Sequence, residues 1–182
     1  MNYTRYQLSK KEYAENIVVF LVLDGMISYL FYRSWIVFLL CLPCLNPFLK
    51  MRRENLCQKR REKLEEQFLM AMQTVITSLT AGYSVETAFT DALKELPLVY
   101  REDDMIVLEF RSIVSQLNMN QNLEELLQSL AVRSGIEDIR NFAEIFAVSK
   151  RSGGNLIAII RNTIQSIMQK NEKRKEIQVV LS

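Results

Sequence analysis

The sequence predicts an all-α protein: an N-terminal transmembrane helical hairpin followed by a cytoplasmic six-helix bundle. Three observations lead there. Glycine and proline are scarce, 5 and 3 in 182 residues, while 49% of the residues are hydrophobic. Such a composition suits helices and argues against a sandwich of short strands, which needs many turns. Two apolar runs, residues 17–31 and 34–49, stand almost end to end. From about Arg52 onward, apolar residues recur at the three-and-four spacing of helices with one buried face.

Each apolar run is slightly short of the roughly 20 residues that a spanning helix needs. The first extends back to Tyr13, and the second reaches its length with Lys50 and Met51 at the boundary. Tyr13, Tyr29, Tyr32 and Trp35 fit interfacial aromatic belts. A cleaved signal peptide fits badly, because no small-x-small site follows the first run and a second run follows at once. A hydrophobic hairpin buried in a soluble core is the alternative.

Lys50, Arg52, Arg53, Lys59, Arg60, Arg61 and Lys63 follow the second run. Arg5, Lys10 and Lys11 precede the first, and only Arg33 lies between. The positive-inside rule therefore puts both ends in the cytoplasm. The basic stretch reads either as a contact with anionic head groups or as a solvated helix face, since Glu54, Glu62, Glu65 and Glu66 are interspersed. Asp24, inside the first run, would face a partner helix, carry a proton or lie near a surface. The expected organisation is a cytoplasmic segment 1–12, two membrane helices 13–50, a basic juxtamembrane helix 51–63 and a helical domain 64–182.

Composition also narrows the chemistry. With 23 basic and 21 acidic residues, the chain as a whole offers no case for nucleic-acid binding. It has no histidine, so Ser-His and Cys-His mechanisms within this chain are excluded. Cys41, Cys44 and Cys57 are a poor disulfide framework. Cys41-Leu42-Pro43-Cys44 has the spacing of a thioredoxin-type pair, but it lies in an apolar run rather than at a helix start after a strand. Pro43 and Pro47 read instead as kinking or ending the second membrane helix. No spacing of acidic residues picks out a catalytic pair, so the chain reads as no enzyme, with no metal or cofactor site.

Six helices follow. The first ends at Ala81, burying Phe68, Leu69, Met72, Val75, Ile76 and Leu79, with Gly82 in the left-handed position beyond it. Ser84 caps a second helix from Val85 to about Leu96, with Ala88, Phe89, Ala92 and Leu93 inward and Pro97 as the break. The third covers about Glu102–Asn118, its early acids suiting the helix dipole, with Leu108, Phe110, Ile113, Val114 and Leu117 toward the core. Asn122 and Glu125 form a capping box for a fourth helix, Leu123 to about Arg133, closed by Gly135. The fifth, Glu137–Arg151, carries Ile139, Phe142, Ile145, Phe146 and Val148 as its apolar residues. Gly153-Gly154 breaks it, since no phosphate-loop pattern or preceding strand is present. The sixth starts near Asn155 with Leu156, Ile159, Ile160, Ile164 and Ile167, then carries a basic patch of Lys170, Lys173, Arg174 and Lys175.

Three stretches of this pattern are distinctive in combination. Thr80-Ala81-Gly82-Tyr83-Ser84-Val85-Glu86-Thr87-Ala88 resembles the opening of type II secretion F domains. Asn122-Leu123-Glu124-Glu125-Leu126-Leu127, with Leu130-Ala131-Val132-Arg133, resembles their middle element, and Ser152-Gly153-Gly154-Asn155-Leu156 resembles their glycine-glycine-asparagine-leucine element. Order and spacing agree over about residues 64–182. Two membrane segments before one such domain resemble the inner-membrane platform proteins of Tad (Flp, tight-adherence) pilus machines.

The resemblance implies a non-enzymatic, multi-pass platform protein of a prokaryotic plasma membrane, with its helical domain in the cytoplasm. It would couple a secretion-type hexameric ATPase to pilin subunits, beside a sister platform protein, in a homo- or hetero-oligomer embedded in the lipid bilayer. Arg133, Arg151, Gly153, Gly154 and Asn155 are the candidate partner-contact residues; capping, loop geometry or a solvated charge is the plainer reading of each. Family members continue into further membrane helices where this chain stops at Ser182. A membrane-tethered adaptor or signalling module is the alternative function.

Overall fold

The structure is a computed structural model that describes residues 17, 18, 22 and 26, residues 45–152 and residues 155–180. The expected membrane hairpin, with Asp24, Cys41 and Cys44, falls almost wholly outside the described residues. Among those described, no helix is long and apolar enough to cross a membrane. The chain divides into two compact units, one of them ending at Arg60 and the other running from Arg61 onward. The second is all-helical, as composition and periodicity predict.

Six described helices follow in order: α1 Leu45–Thr80, α2 Val85–Val99, α3 Met105–Leu117, α4 Leu123–Ser134, α5 Glu137–Ser152 and α6 Leu156–Val180. α1 joins the two units as one continuous helix. Pro47 does not end a helix here. It lies in the first turn of α1, where its missing N–H has no intrahelical partner to lose. The basic stretch 50–63 is therefore the N-terminal part of the same helix that enters the bundle.

The ends of the elements follow from local chemistry. At the end of α1, Gly82 has φ +95°. The Tyr83 N–H donates to the Ser78 carbonyl at 3.2 Å and the Gly82 N–H to that of Leu79 at 3.0 Å. This paired closure satisfies carbonyls that the helix leaves unpaired, and it requires a left-handed residue. Ser84 then caps α2, its Oγ accepting from the Thr87 N–H at 3.2 Å. Asn120, at φ 61°, repeats the closure after α3, with Gln121 N–H donating to Gln116 and Asn120 N–H to Leu117. Gly135, at φ 63°, closes α4 with one bond from its N–H to the Ala131 carbonyl, 3.0 Å.

Three local expectations differ from the structure. α2 runs through Pro97 to Val99, because a proline late in a short helix removes one hydrogen bond without stopping the turn. α3 starts at Met105, after Asp104 rather than at Glu102. Asn122 occupies the N-cap of α4 without a side-chain capping bond, and its amide instead reaches Glu125 at 3.5 Å.

The core follows the apolar seams. On α1 it is Leu64, Phe68, Ala71, Met72, Val75 and Leu79, each three or four residues from another member of the row. On α6 it is Ile160, Ile164 and Ile167 in the same rhythm. Phe142 of α5 meets Phe68 edge-on at 5.4 Å and stacks on Phe146 at 6.1 Å, while Phe89 of α2 stacks on Phe110 of α3 at 5.4 Å. Ile145 and Val148, expected to be apolar partners on α5, are exposed, 39% and 67%. At about 100° per residue they fall to the side of the stripe Ile139, Phe142, Phe146. Leu108, Leu117, Ile76 and Leu93 are half-buried rather than central, and Ile106 and Val107 take the buried places on α3.

α6 lies antiparallel along α1. Asn171 donates to Glu65 at 2.8 Å, Lys175 pairs with Glu66, Gln73 donates to the Met168 sulfur at 3.0 Å, and Arg161 donates to Thr80 at 2.9 Å. The helices alternate up and down. One end of the unit gathers the closes of α1, α3 and α5 and the starts of α2, α4 and α6. The other end holds the point where α1 enters, with Lys63 on Asp104 at 2.6 Å and Lys170 on Asp138 at 2.6 Å.

Phe142→Ala should lower the unfolding free energy by about 3–5 kcal/mol, the usual result of emptying a packed aromatic site. Urea unfolding followed by circular dichroism reads this directly. Val148→Ala, on the exposed side of the same helix, should change it by less than about 0.5 kcal/mol.

Candidate functional site

The start of α2, the start of α4 and the close of α5, far apart in sequence, come together at one end of the bundle. Ion pairs tie them. Lys150, in the last turn of α5, reaches Glu124 in the first turn of α4 at 3.1 Å and Glu86 in the first turn of α2 at 3.5 Å. Asn155 caps α6, its Oδ1 accepting from the Ala158 N–H at 3.1 Å. Arg161, one turn and a half into α6, holds Thr80 at the close of α1. The end opposite the entry of α1 is thus built from the first turns of three helices and the last turns of three.

The electrostatics follow from that convergence. Glu86 and Glu124 stand in first turns, where helix dipoles favour negative charge, and Lys150 and Arg151 stand in a last turn, where they favour positive charge. Burial pushes the Glu124 carboxyl up. A bond from its own backbone N–H, the Lys150 ammonium and the nearby charge of Arg151 outweigh this and hold it below the ordinary glutamate value. Around this charged centre Tyr83 and Val148 are exposed, 53% and 67%. Among the described residues, no group of three or more histidine, cysteine or acidic side chains could hold a metal ion.

The sequence-derived candidates divide between the two ends. Arg151 is exposed and lies beside Glu124 at the convergent end. Asn155 is exposed at the start of α6, with its side chain used as a cap. Gly153 and Gly154 lie outside the described residues; α5 closes at Ser152 and α6 opens at Leu156 on either side of them. Arg133 is elsewhere. It closes α4 near the entry end and grips Glu109 of α3 with two bonds, 3.1 and 2.8 Å. The Glu109 side chain is only 3% exposed. A fork of this kind is strong and directional, and it gives Arg133 a structural task.

Sequence reasoning did not single out Lys150, Glu86 or Glu124, which join the motifs. The only sequence signal was position: each lies within two residues of a predicted helix end. Comparison with family models, curated proteins and solved structures finds no match for this chain.

Two outcomes are expected. Arg133→Met takes the bidentate partner from a buried carboxylate and should destabilise the bundle by about 2–4 kcal/mol in urea unfolding. Lys150→Met should cost about 0.5–1 kcal/mol at neutral pH. Glu124 has a depressed folded-state value, so its contribution is present above the unfolded value and is lost as pH falls through the folded one. The difference between Lys150→Met and the native chain should therefore vanish on acidification, and the Glu124 carboxyl carbon should titrate higher in the variant by NMR.

Proposed function

We propose that this chain is an inner-membrane platform protein of a Tad/Flp-like pilus-assembly or type II secretion machine. Residues 13–50 form its membrane anchor. The bundle works through protein contacts, coupling a cytoplasmic ATPase to the assembly of pilin subunits. The observation that carries the reading is that Glu86 of the first stretch and Glu124 of the middle one both meet Lys150, just before the third, at one end of the bundle.

Two further features support it. The convergent end is the end opposite the one at which α1 enters the bundle. A contact made there by a cytoplasmic motor would be transmitted along helices, about 30 Å for the 20 residues from Arg61 to Thr80 at 1.5 Å each. The surface hollows along α6 are open to solvent and suit protein contacts better than an enclosed small-molecule site.

Co-purification from native membranes in mild detergent, with a tag on the bundle, tests this reading. Recovery of a secretion-type ATPase together with small pilin-like proteins is the expected result. Arg151→Glu and Tyr83→Ala should reduce ATPase recovery while leaving the far-ultraviolet circular dichroism unchanged. Recovery of neither partner, from cells that express both, would remove the platform reading.

A further inference from the structure

Among the described residues, two surfaces lack a covering element, and their chemistries are opposite. The first is on α6. Ser166, Gln169, Lys170, Lys173, Arg174 and Ile177 line one open hollow, and their spacing of three and four puts them on one face of the helix. Ser166 and Lys170 also line the neighbouring hollow between α5 and α6, which reaches Ile145. The two hollows make one groove, about 21 Å long from Thr163 to Ile177 at 1.5 Å per residue. Lys170, Lys173 and Arg174 line it against a single acid, Asp138, which Lys170 already holds at 2.6 Å. Glu172 is on another side of α6, in a hollow shared with Tyr100 and Lys175. Ile177 stands 60% exposed beside the cations.

The second surface is the corner between α2 and α3. Leu98 and Val99, adjacent in the chain, are 84% and 71% exposed. Glu95 precedes them by one turn, and Glu102 and Asp103 follow within a few residues, all three exposed. Residues 91–104 hold five acidic and two basic side chains. Arg101 meets Asp103 at 3.1 Å and Arg111 lies 3.7 Å from Glu102, both in exposed settings where such pairs are worth little. Tyr100, the next residue after Val99, lines the hollow that Glu172 and Lys175 share. The corner therefore stands at the height of the last turns of α6, on a different side of α6 from the groove. A chain does not seat its own corner in its own groove.

We propose that the α2–α3 corner of one copy of this chain docks on the α6 groove of the next. Leu98 and Val99 cover Ile177, and Glu95, Glu102 and Asp103 face Lys173 and Arg174. The occupant is a second copy because the chain itself carries the complement: an aliphatic pair among acids, at the height of an exposed isoleucine among cations. Unlike surfaces meet, so the contact is head to tail, and each copy keeps one half free to pass it on. The two halves stand at one height, so copies set side by side and the same way up bring them together. The patch is small, which puts a single contact in the weak class, while opposite charge selects the partner and steers its approach. Neither an ATPase nor a pilin is needed, so failure of this contact leaves the platform reading standing.

The test is cross-linking of the full chain in detergent, with Cys41, Cys44 and Cys57 changed to serine. One population carries Val99→Cys and the other Ile177→Cys, and a short bismaleimide joins thiols that meet. The mixture should give a linked dimer well above the yield of either population alone. Met119→Cys, exposed at the opposite end of the bundle, supplies the background. Lys173→Glu with Arg174→Glu should lower the yield by about tenfold, because like charges then face each other across the contact. Glu102→Lys with Asp103→Lys in the other population should restore it, a rescue that a misfolded variant would not show. A mixed yield no higher than the background, a yield that charge reversal leaves unchanged, or a swap that fails to rescue overturns the proposal. So does a thiol at position 177 that maleimide labels freely until phosphatidylglycerol bicelles are added, which would assign the groove to lipid.

Discussion

The seam of α1 is the constraint from which the rest of the bundle takes its positions. Leu64, Phe68, Ala71, Met72, Val75 and Leu79 put one apolar line along the helix, all of them nearly or fully removed from water. Phe68 receives Phe142 of α5, and the polar residues on either side of the line receive α6 in an antiparallel register. A helix this long is marginal alone, and most of its stability comes from the surface it buries. The same helix continues backward past Arg61 through the basic stretch.

Polar residues then give the bundle a single arrangement that greasy packing alone would leave loose. Asn171 falls where the alternating rhythm of Ile160, Ile164 and Ile167 would place another apolar residue, and it reaches Glu65 instead. A polar group at a seam specifies register because sliding the helix by one turn would leave it without a partner. Glu109 and Arg133 do the same for α3 and α4 with a two-bonded fork. Lys150 does so for α2, α4 and α5 at the opposite end. The two ends of the unit differ in kind. The entry end is fastened by buried or half-buried carboxylates with cationic partners, while the convergent end presents exposed Tyr83, Val148 and Arg151 around its ion pairs.

Much of this was legible from sequence because helices are specified locally. A 3.6-residue rhythm reports which side of a helix is buried, and Gly82, Ser84 and Gly135 act through the backbone geometry of their own neighbours. Those parts of the reading carried over: six helices, their order and most of the core. It failed where two local readings compete. Pro97 reads as a stop, but a proline near the end of a helix costs little once the preceding turns are packed. Ile145 and Val148 are apolar like their neighbours on α5, yet their angle on the helix turns them outward.

The sequence by itself determined the class of the fold, the order of its helices and most of the rows of apolar residues that must be covered, because these depend on interactions within a few residues of chain. Only the tertiary structure decided which charges meet. Arg133 reads from sequence as a surface candidate and proves to be bound to Glu109, 24 positions away. Lys150 reads as an ordinary helix-end lysine and joins three helices. Glu65 on α1 accepts from Asn171 on α6, 106 positions away. A side chain's partner across helices is set by the packing of whole elements, and no periodicity along the chain encodes it.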